Sequence, residues 1–146
     1  AKSGRSNQEA LKICNLAIEN IVANRADMAA TYVNRGIVRA NRRDFDGAIA
    51  DYASALRLNP DLAEVFANRG TIYIQTNQYN LALGEFDRAL TLELEQPANV
   101  YYNRAIVYEH IGETTKAYFD FKKAVELRPN WNLPQIELAR FSVQSD

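Results

Sequence analysis

Side chains able to do acid–base, nucleophilic or metal chemistry are few and scattered in this 146-residue chain. There is one histidine, His110, and one cysteine, Cys14, far from it in sequence. Two such residues cannot build a histidine-rich metal site, and nothing in their spacing makes them a Cys/His nucleophilic pair. The six glycines are dispersed, so no phosphate-cradling loop is formed. Carboxylates are plentiful, but no spacing couples two of them as acid and base. The expectation is a protein that is not an enzyme, with no catalytic residue, no metal and no cofactor. Cys14 reads as a buried, inert thiol.

The residues that do recur are amides and charges. Asn34-Arg35-Gly36 returns as Asn68-Arg69-Gly70 and again as Asn103-Arg104-Ala105, a period of about 34 residues. An asparagine offers a donor and an acceptor, the complement of a peptide unit. Asn34, Asn68 and Asn103 could therefore pair with peptide groups, including those within and between this chain's own helices. The arginines recur with an acid, Asp51, Glu85 or Asp120. A structural ladder between neighbouring helices is the expected use of these pairs, ahead of ligand contact.

The elements that carry these residues are helical. Ala10, Leu11, Cys14, Leu16, Ala17, Ile18 and Ile21 fall at the threes and fours of an amphipathic helix starting near Asn7, and Asn24 to Asp27 interrupts it. A second helix runs from about Met28 to Arg42. A third starts at Asp44, a good N-cap, and is stopped by Asn59-Pro60-Asp61. The cycle repeats over Ala63–Thr76 and Tyr79–Leu92, then again up to Arg128-Pro129-Asn130. In register stand Tyr32/Phe66/Tyr101, Ala48/Ala82/Ala117, Tyr52/Phe86/Phe121 and Ala55/Ala89/Ala124. Large and small side chains on one helical face pack where helices cross. Glycine inside a helix costs about 1 kcal/mol relative to alanine. Gly36 and Gly70 are expected where the two helices of a hairpin approach so closely that a methyl is the largest group tolerated, as at Ala105.

An aromatic, then Gly, then Tyr, then Ala-x3-aromatic-x2-Ala and a proline, repeating every 34 residues or so, resembles the tetratricopeptide repeat over about residues 29–130. Departures are Arg39 in the place of Tyr73 and Tyr108, the arginines in the place of a usual leucine, and Leu94 with a late Pro97. The junction between the second and third repeats is expected to be longer or bent. The resemblance implies an all-α, right-handed α-solenoid of helical hairpins with about eight helices. Residues 1–6 read as a flexible tail and 7–146 as a single domain. Its parts are a partial repeat at 7–28, repeats at 29–62, 63–97 and 98–131, and a capping helix at 132–146, with Pro134 in that helix's first turn.

The same resemblance implies that the first helix of each hairpin lines a concave groove. The peptide-binding residues it implies are Asn34, Ile37 and Asn41, then Asn68, Thr71 and Gln75, then Asn99, Tyr102, Asn103, Ile106 and His110. The asparagines resemble the ladder of the O-GlcNAc transferase repeats, which holds polypeptide by its backbone. The clamp with which co-chaperone repeats hold an acidic C-terminus is absent. Asn68 matches one of its asparagines, but Val33, Ile37, Asn99 and Asn103 stand where its other residues belong. With Glu64 and Glu109 on the groove side, the expected ligand is a protein or peptide segment, neutral or basic rather than acidic. Self-association through solenoid ends is the alternative.

Composition sets the outer limits. At 47% hydrophobic and 24% charged residues the chain reads as a soluble globular protein. Its net charge of -1, with 17 basic against 18 acidic residues, offers no basic stripe for nucleic acid. No apolar run is long enough for membrane insertion. Ala1 to Ser6, short and basic with no apolar stretch behind it, does not read as an intact signal peptide; a mature end left by cleavage and a remnant of expression are both compatible with it. The compartment is thus unknown: cytoplasmic, or periplasmic if Ala1 is a processed end.

Overall fold

The computed structural model describes residues 2–20 and 25–144. Eight helices lie among them: α1 (Lys2–Asn20), α2 (Arg25–Asn41), α3 (Phe45–Leu58), α4 (Ala63–Gln75), α5 (Tyr79–Thr91), α6 (Ala98–His110), α7 (Thr114–Leu127) and α8 (Asn132–Gln144). The described residues contain no strand. The expected all-α architecture of helical hairpins is present. Two starts differ from the sequence reading. Helix α1 includes residues 2–6, expected as a tail, and α2 includes Arg25–Asp27, expected as a break. Both stretches lack an apolar stripe, the feature on which the sequence reading placed the helix starts, but backbone hydrogen bonding needs no apolar face. Ile21 and Asn24 lie outside the described residues.

The chain divides into two compact units, 1–69 and 70–146, the boundary falling inside α4. In the first unit α2 packs on α3, and α1 packs on α2. In the second, α5 packs on α6, α6 on α7, and α7 on α8. The buried side chains include the ones expected from their recurrence: Ala48, Tyr52 and Ala55 in α3, Ala82, Phe86 and Ala89 in α5, and Ala117, Phe121 and Ala124 in α7. Leu138 and Phe141 of α8 lie against Ala105, Ala117 and Phe121, so α8 covers the apolar side of the last hairpin. Its Pro134 is fully buried in the first turn.

The glycine spacing is explained by the aromatics. A Cβ on Gly36 would stand 2.5 Å from the Tyr52 ring, and one on Gly70 would stand 2.6 Å from the Phe86 ring. Even a methyl is too large there, which tightens the expectation drawn from Ala105. The third hairpin takes a methyl against Phe121.

Each hairpin turn closes the same way. Asp44, Gln78 and Glu113 donate their backbone N–H to the carbonyls of Arg39, Tyr73 and Tyr108, at 2.9, 2.8 and 2.8 Å. The left-handed residue this turn needs is Arg43, Asn77 and Gly112 in the three copies. Asp44 also caps α3 through its side chain, which accepts from the Gly47 N–H. The connection between α5 and α6 spans 92–97, against 59–62 and 128–131 at the equivalent junctions, and is the longer one expected.

Candidate functional site

The arginine of each recurring triplet is a structural cation. Arg35 lies over the Tyr32 ring at 5.7 Å, Arg69 over Phe66 at 5.5 Å, and Arg104 over Tyr101 at 5.4 Å, a stacking the sequence reading missed. The signal was available: each aromatic precedes its arginine by three residues, one helical turn. Arg35 grips the buried Asp51 with two bonds, 2.9 and 2.7 Å, and Arg104 grips Asp120 likewise at 2.6 and 2.9 Å. Each of these two arginines also reaches the preceding helix, Arg35 to the Asn15 amide oxygen and Arg104 to the Asp87 carboxylate, both at 2.9 Å. Asn15 follows Cys14 as Asp87 follows Phe86, so α1 stands in the register of a second helix. Bonding to Asp51 raises the Arg35 pKa. Burial alone would lower that of Arg104, but Asp120 and Asp87 outweigh it and the shift is upward. Arg39, an oddity in sequence, donates to Asp51 at 3.1 Å, giving that buried carboxylate a second cation. These residues are committed to the fold.

The three asparagines separate. Asn68 hydrogen-bonds the Tyr52 hydroxyl, joining α3 to α4. Burial holds that phenol well above its ordinary range, at about 12. The places equivalent to Tyr52 before the other two asparagines hold Cys14 and Phe86, which have no hydroxyl. Asn34 is exposed and Asn103 half-buried. Among the described residues, Asn68 is the member of the ladder whose side chain is engaged.

The remaining groove candidates fall into two groups. In the first unit, Ile37 and Asn41 are exposed on α2. In the second, Gln75 and His110 are exposed and Thr71 is half-buried. His110 stacks on Tyr79 with ring centroids 4.5 Å apart. Tyr102 and Ile106 pack on the core around Phe121, and Tyr102 also meets the Trp131 ring at 4.9 Å. Burial, then Glu137, raises the Tyr102 pKa. The amide oxygen of Asn99 accepts from Arg128 at 3.2 Å. Glu109, counted on the sequence as an acidic groove residue, accepts from Arg140 at 2.8 Å, a cation it shares with Glu137. Cys14 is half-buried, not buried as expected, because it lies on α1 at the margin of the first unit.

Two cavities accompany these faces. One, of about 220 Å³, lies in the first unit and is lined by Ala26, Ala29, Ala30, Val33, Asn34, Asn59, Leu62 and Glu64. Small residues at 26, 29, 30 and 33 leave this space, since they share one side of α2. The other, of about 330 Å³, lies in the second unit beside the turn at Asn77 and is lined by amides and apolar side chains up to Ile111. Among the described residues no group of three His, Cys, Asp or Glu side chains could hold a metal ion. No described helix is long and apolar enough to cross a membrane.

Comparison with known proteins fits this geometry. Tetratricopeptide-repeat family models match residues 33–93 and 98–130. The chain belongs to the tetratricopeptide-repeat family, whose domains generally mediate protein–protein interactions without catalysis. No curated protein sequence matches it. Among solved structures, the first tetratricopeptide domain of Spaghetti (RPAP3), bound to the HSP90 peptide SRMEEVD, is 20% identical with a TM-score of 0.75, over 82% of this chain and 94% of that one. The MamA RS-1 ArsTM double mutant is 22% identical with a TM-score of 0.82, over 99% and 78%. YrrB, described as a tetratricopeptide protein with an unusual peptide-binding site, is 25% identical with a TM-score of 0.78. This chain covers 64% of YrrB, and 88% of this chain is matched.

Proposed function

We propose that the protein is a non-catalytic adaptor that binds a peptide or protein segment along the groove faces of its first helices. The carrying observation is on α2: Asn34, Ile37 and Asn41 are exposed at one face, while the recurring alanines and aromatics of α3 are buried. That face offers uncommitted amides for a peptide backbone and an apolar side chain for contact area. The second unit adds Gln75, Asn103 and His110. The ligand is neutral or basic, because among the described residues Glu64 is a groove carboxylate with no cation paired to it, and Glu109 has only a shared one, Arg140. With a net charge of -1, nucleic acid is not the expected partner, and capture should fall only shallowly with salt.

The test is a pull-down with wild-type protein and with Asn34, Asn68 and Asn103 all changed to Ala. Capture that survives the triple change rejects the asparagine reading. Because Asn68 also holds Tyr52, the Asn34→Ala, Asn103→Ala double variant is the cleaner probe. It should lose capture while melting like the wild type.

A second reading, self-association through the outer helices, draws on exposed Ile13 (63%) and Leu16 (50%) of α1 and Leu133 (49%) and Ile136 (59%) of α8. Mass that rises with concentration in light scattering, and falls back on Ile136→Lys, supports it.

A further inference from the structure

The cavity of the first unit has a counterpart position in the second that is occupied by the protein itself. Aligning repeat 29–62 with repeat 98–131 places Tyr102 where Val33 stands, Asn99 where Ala30 stands, Arg128 where Asn59 stands and Trp131 where Leu62 stands. In the second unit these residues close on one another. Tyr102 meets Trp131 at 4.9 Å, and the Arg128 guanidinium lies over Trp131 at 4.9 Å while donating to Asn99. In the first unit the smaller set leaves about 220 Å³ open. Sites for whole drug-sized ligands run to about 300–1,000 Å³, so this space suits one side chain.

Its chemistry is directional. The floor is alanine and valine, Asn34 and Asn59 bring amides, and Glu64 is the one charged side chain in the lining. Arg25, next in sequence to Ala26, is tied to the carbonyls of Leu58 and Arg57 at 2.7 and 2.9 Å. An anion would meet Glu64 with no lysine or arginine in the lining to offset it. We infer that this cavity seats one lysine or arginine side chain of a bound protein segment, its aliphatic stem on the Ala29–Val33 floor and its cation beside Glu64. In the second unit a cation of the chain itself, Arg128, stands at the aligned place, over Trp131 and on the Asn99 amide oxygen. It rests on the groove-binding reading and adds the residue class that the groove selects.

The experiment uses isotope-labelled full chain and capped peptides acetyl-Gly-Ser-X-Ser-Gly-amide, with X as lysine, norleucine or glutamate. Amide shifts of Ala29, Ala30, Val33 and Asn34 are followed by NMR. The lysine peptide should bind about two- to fivefold more tightly than the norleucine peptide, as for a solvent-accessible ion pair, and the glutamate peptide least. Glu64→Gln should erase the lysine preference and spare norleucine binding. Leu62→Trp and Val33→Tyr copy the second unit's own filling, and each folded variant should lose all three peptides. Equal binding of lysine and norleucine, or a preference that survives Glu64→Gln, overturns the inference. The two readings fail differently. Shifts confined to Asn103 and its neighbours on a captured partner would sink the pocket and keep the groove. Pocket shifts with lysine peptide, alongside partner capture indifferent to Asn34 and Asn103, would sink the asparagine groove and keep the pocket.

Discussion

Repeat 29–62 and repeat 98–131 follow one plan and spend their side chains differently. The first surrounds its buried acid with two guanidiniums, Arg35 and Arg39 on Asp51, and leaves a cavity beside Val33 and Leu62. The second gives Asp120 to Arg104 and puts Tyr108 where Arg39 stands, with Arg104 and Lys116 over its ring at 5.6 and 5.7 Å. It fills the place of the cavity with Tyr102, Trp131 and Arg128. The lesson is that the repeat fixes where side chains stand, and their size then decides whether a position is wall or opening. The buried ion pairs are scaffold in both; the open position belongs to the first alone of the two.

The largest effect should come from the acids. Asp51→Ala leaves two arginines beside a buried hole and Asp120→Ala leaves one, at about 3–5 kcal/mol for breaking such a pair. Urea unfolding should show Asp51→Ala at least as costly as Asp120→Ala; the reverse order would break the contrast between the two charge clusters. Next come the glycines. Gly70→Val, and Gly36→Ala against the hydrogen-bonded Tyr52 ring, should each cost about 1–3 kcal/mol by overpacking. Gly84→Ala, where a Cβ meets nothing within 4 Å, serves as the control and should be neutral or stabilising by up to about 1 kcal/mol. An unchanged melting temperature for Gly70→Val would refute close approach as the reason for glycine.

Smaller still is the division within the asparagines. Asn68→Ala should cost about 1 kcal/mol through the lost bond to Tyr52, whereas Asn34→Ala should stay within about 0.5 kcal/mol. Equal costs would mean the ladder is uniform after all. The subtlest difference lies in alkali. Tyr52 has a folded pKa of about 12 against an ordinary 10.0, so folding favours its neutral form. That contribution is complete below pH 10 and lost as pH rises through 12. Tyr52→Phe, which makes the first hairpin like the others, should shallow the alkaline fall in stability and remove the latest-titrating phenol from the absorbance curve.

Much of this was legible in the sequence. Period, hairpin order, the Asp44 cap, the buried alanines and aromatics and the long second junction follow from local rules: helical periodicity, capping and proline stops act within a few residues. The arginine–acid pairs at Asp51 and Asp120 were legible too, because repetition preserves their spacing. Tertiary structure decided the rest. Only packing showed that Gly36 faces the Tyr52 ring too closely for a methyl, and that Arg39 serves Asp51. It also gave Asn68, Glu109 and Tyr102, all candidates on the sequence, a partner from another helix. The open cavity is the clearest case. Ala26, Ala29, Ala30 and Val33 are unremarkable as letters, and a void is defined by what several helices fail to fill, a property no single stretch of chain possesses.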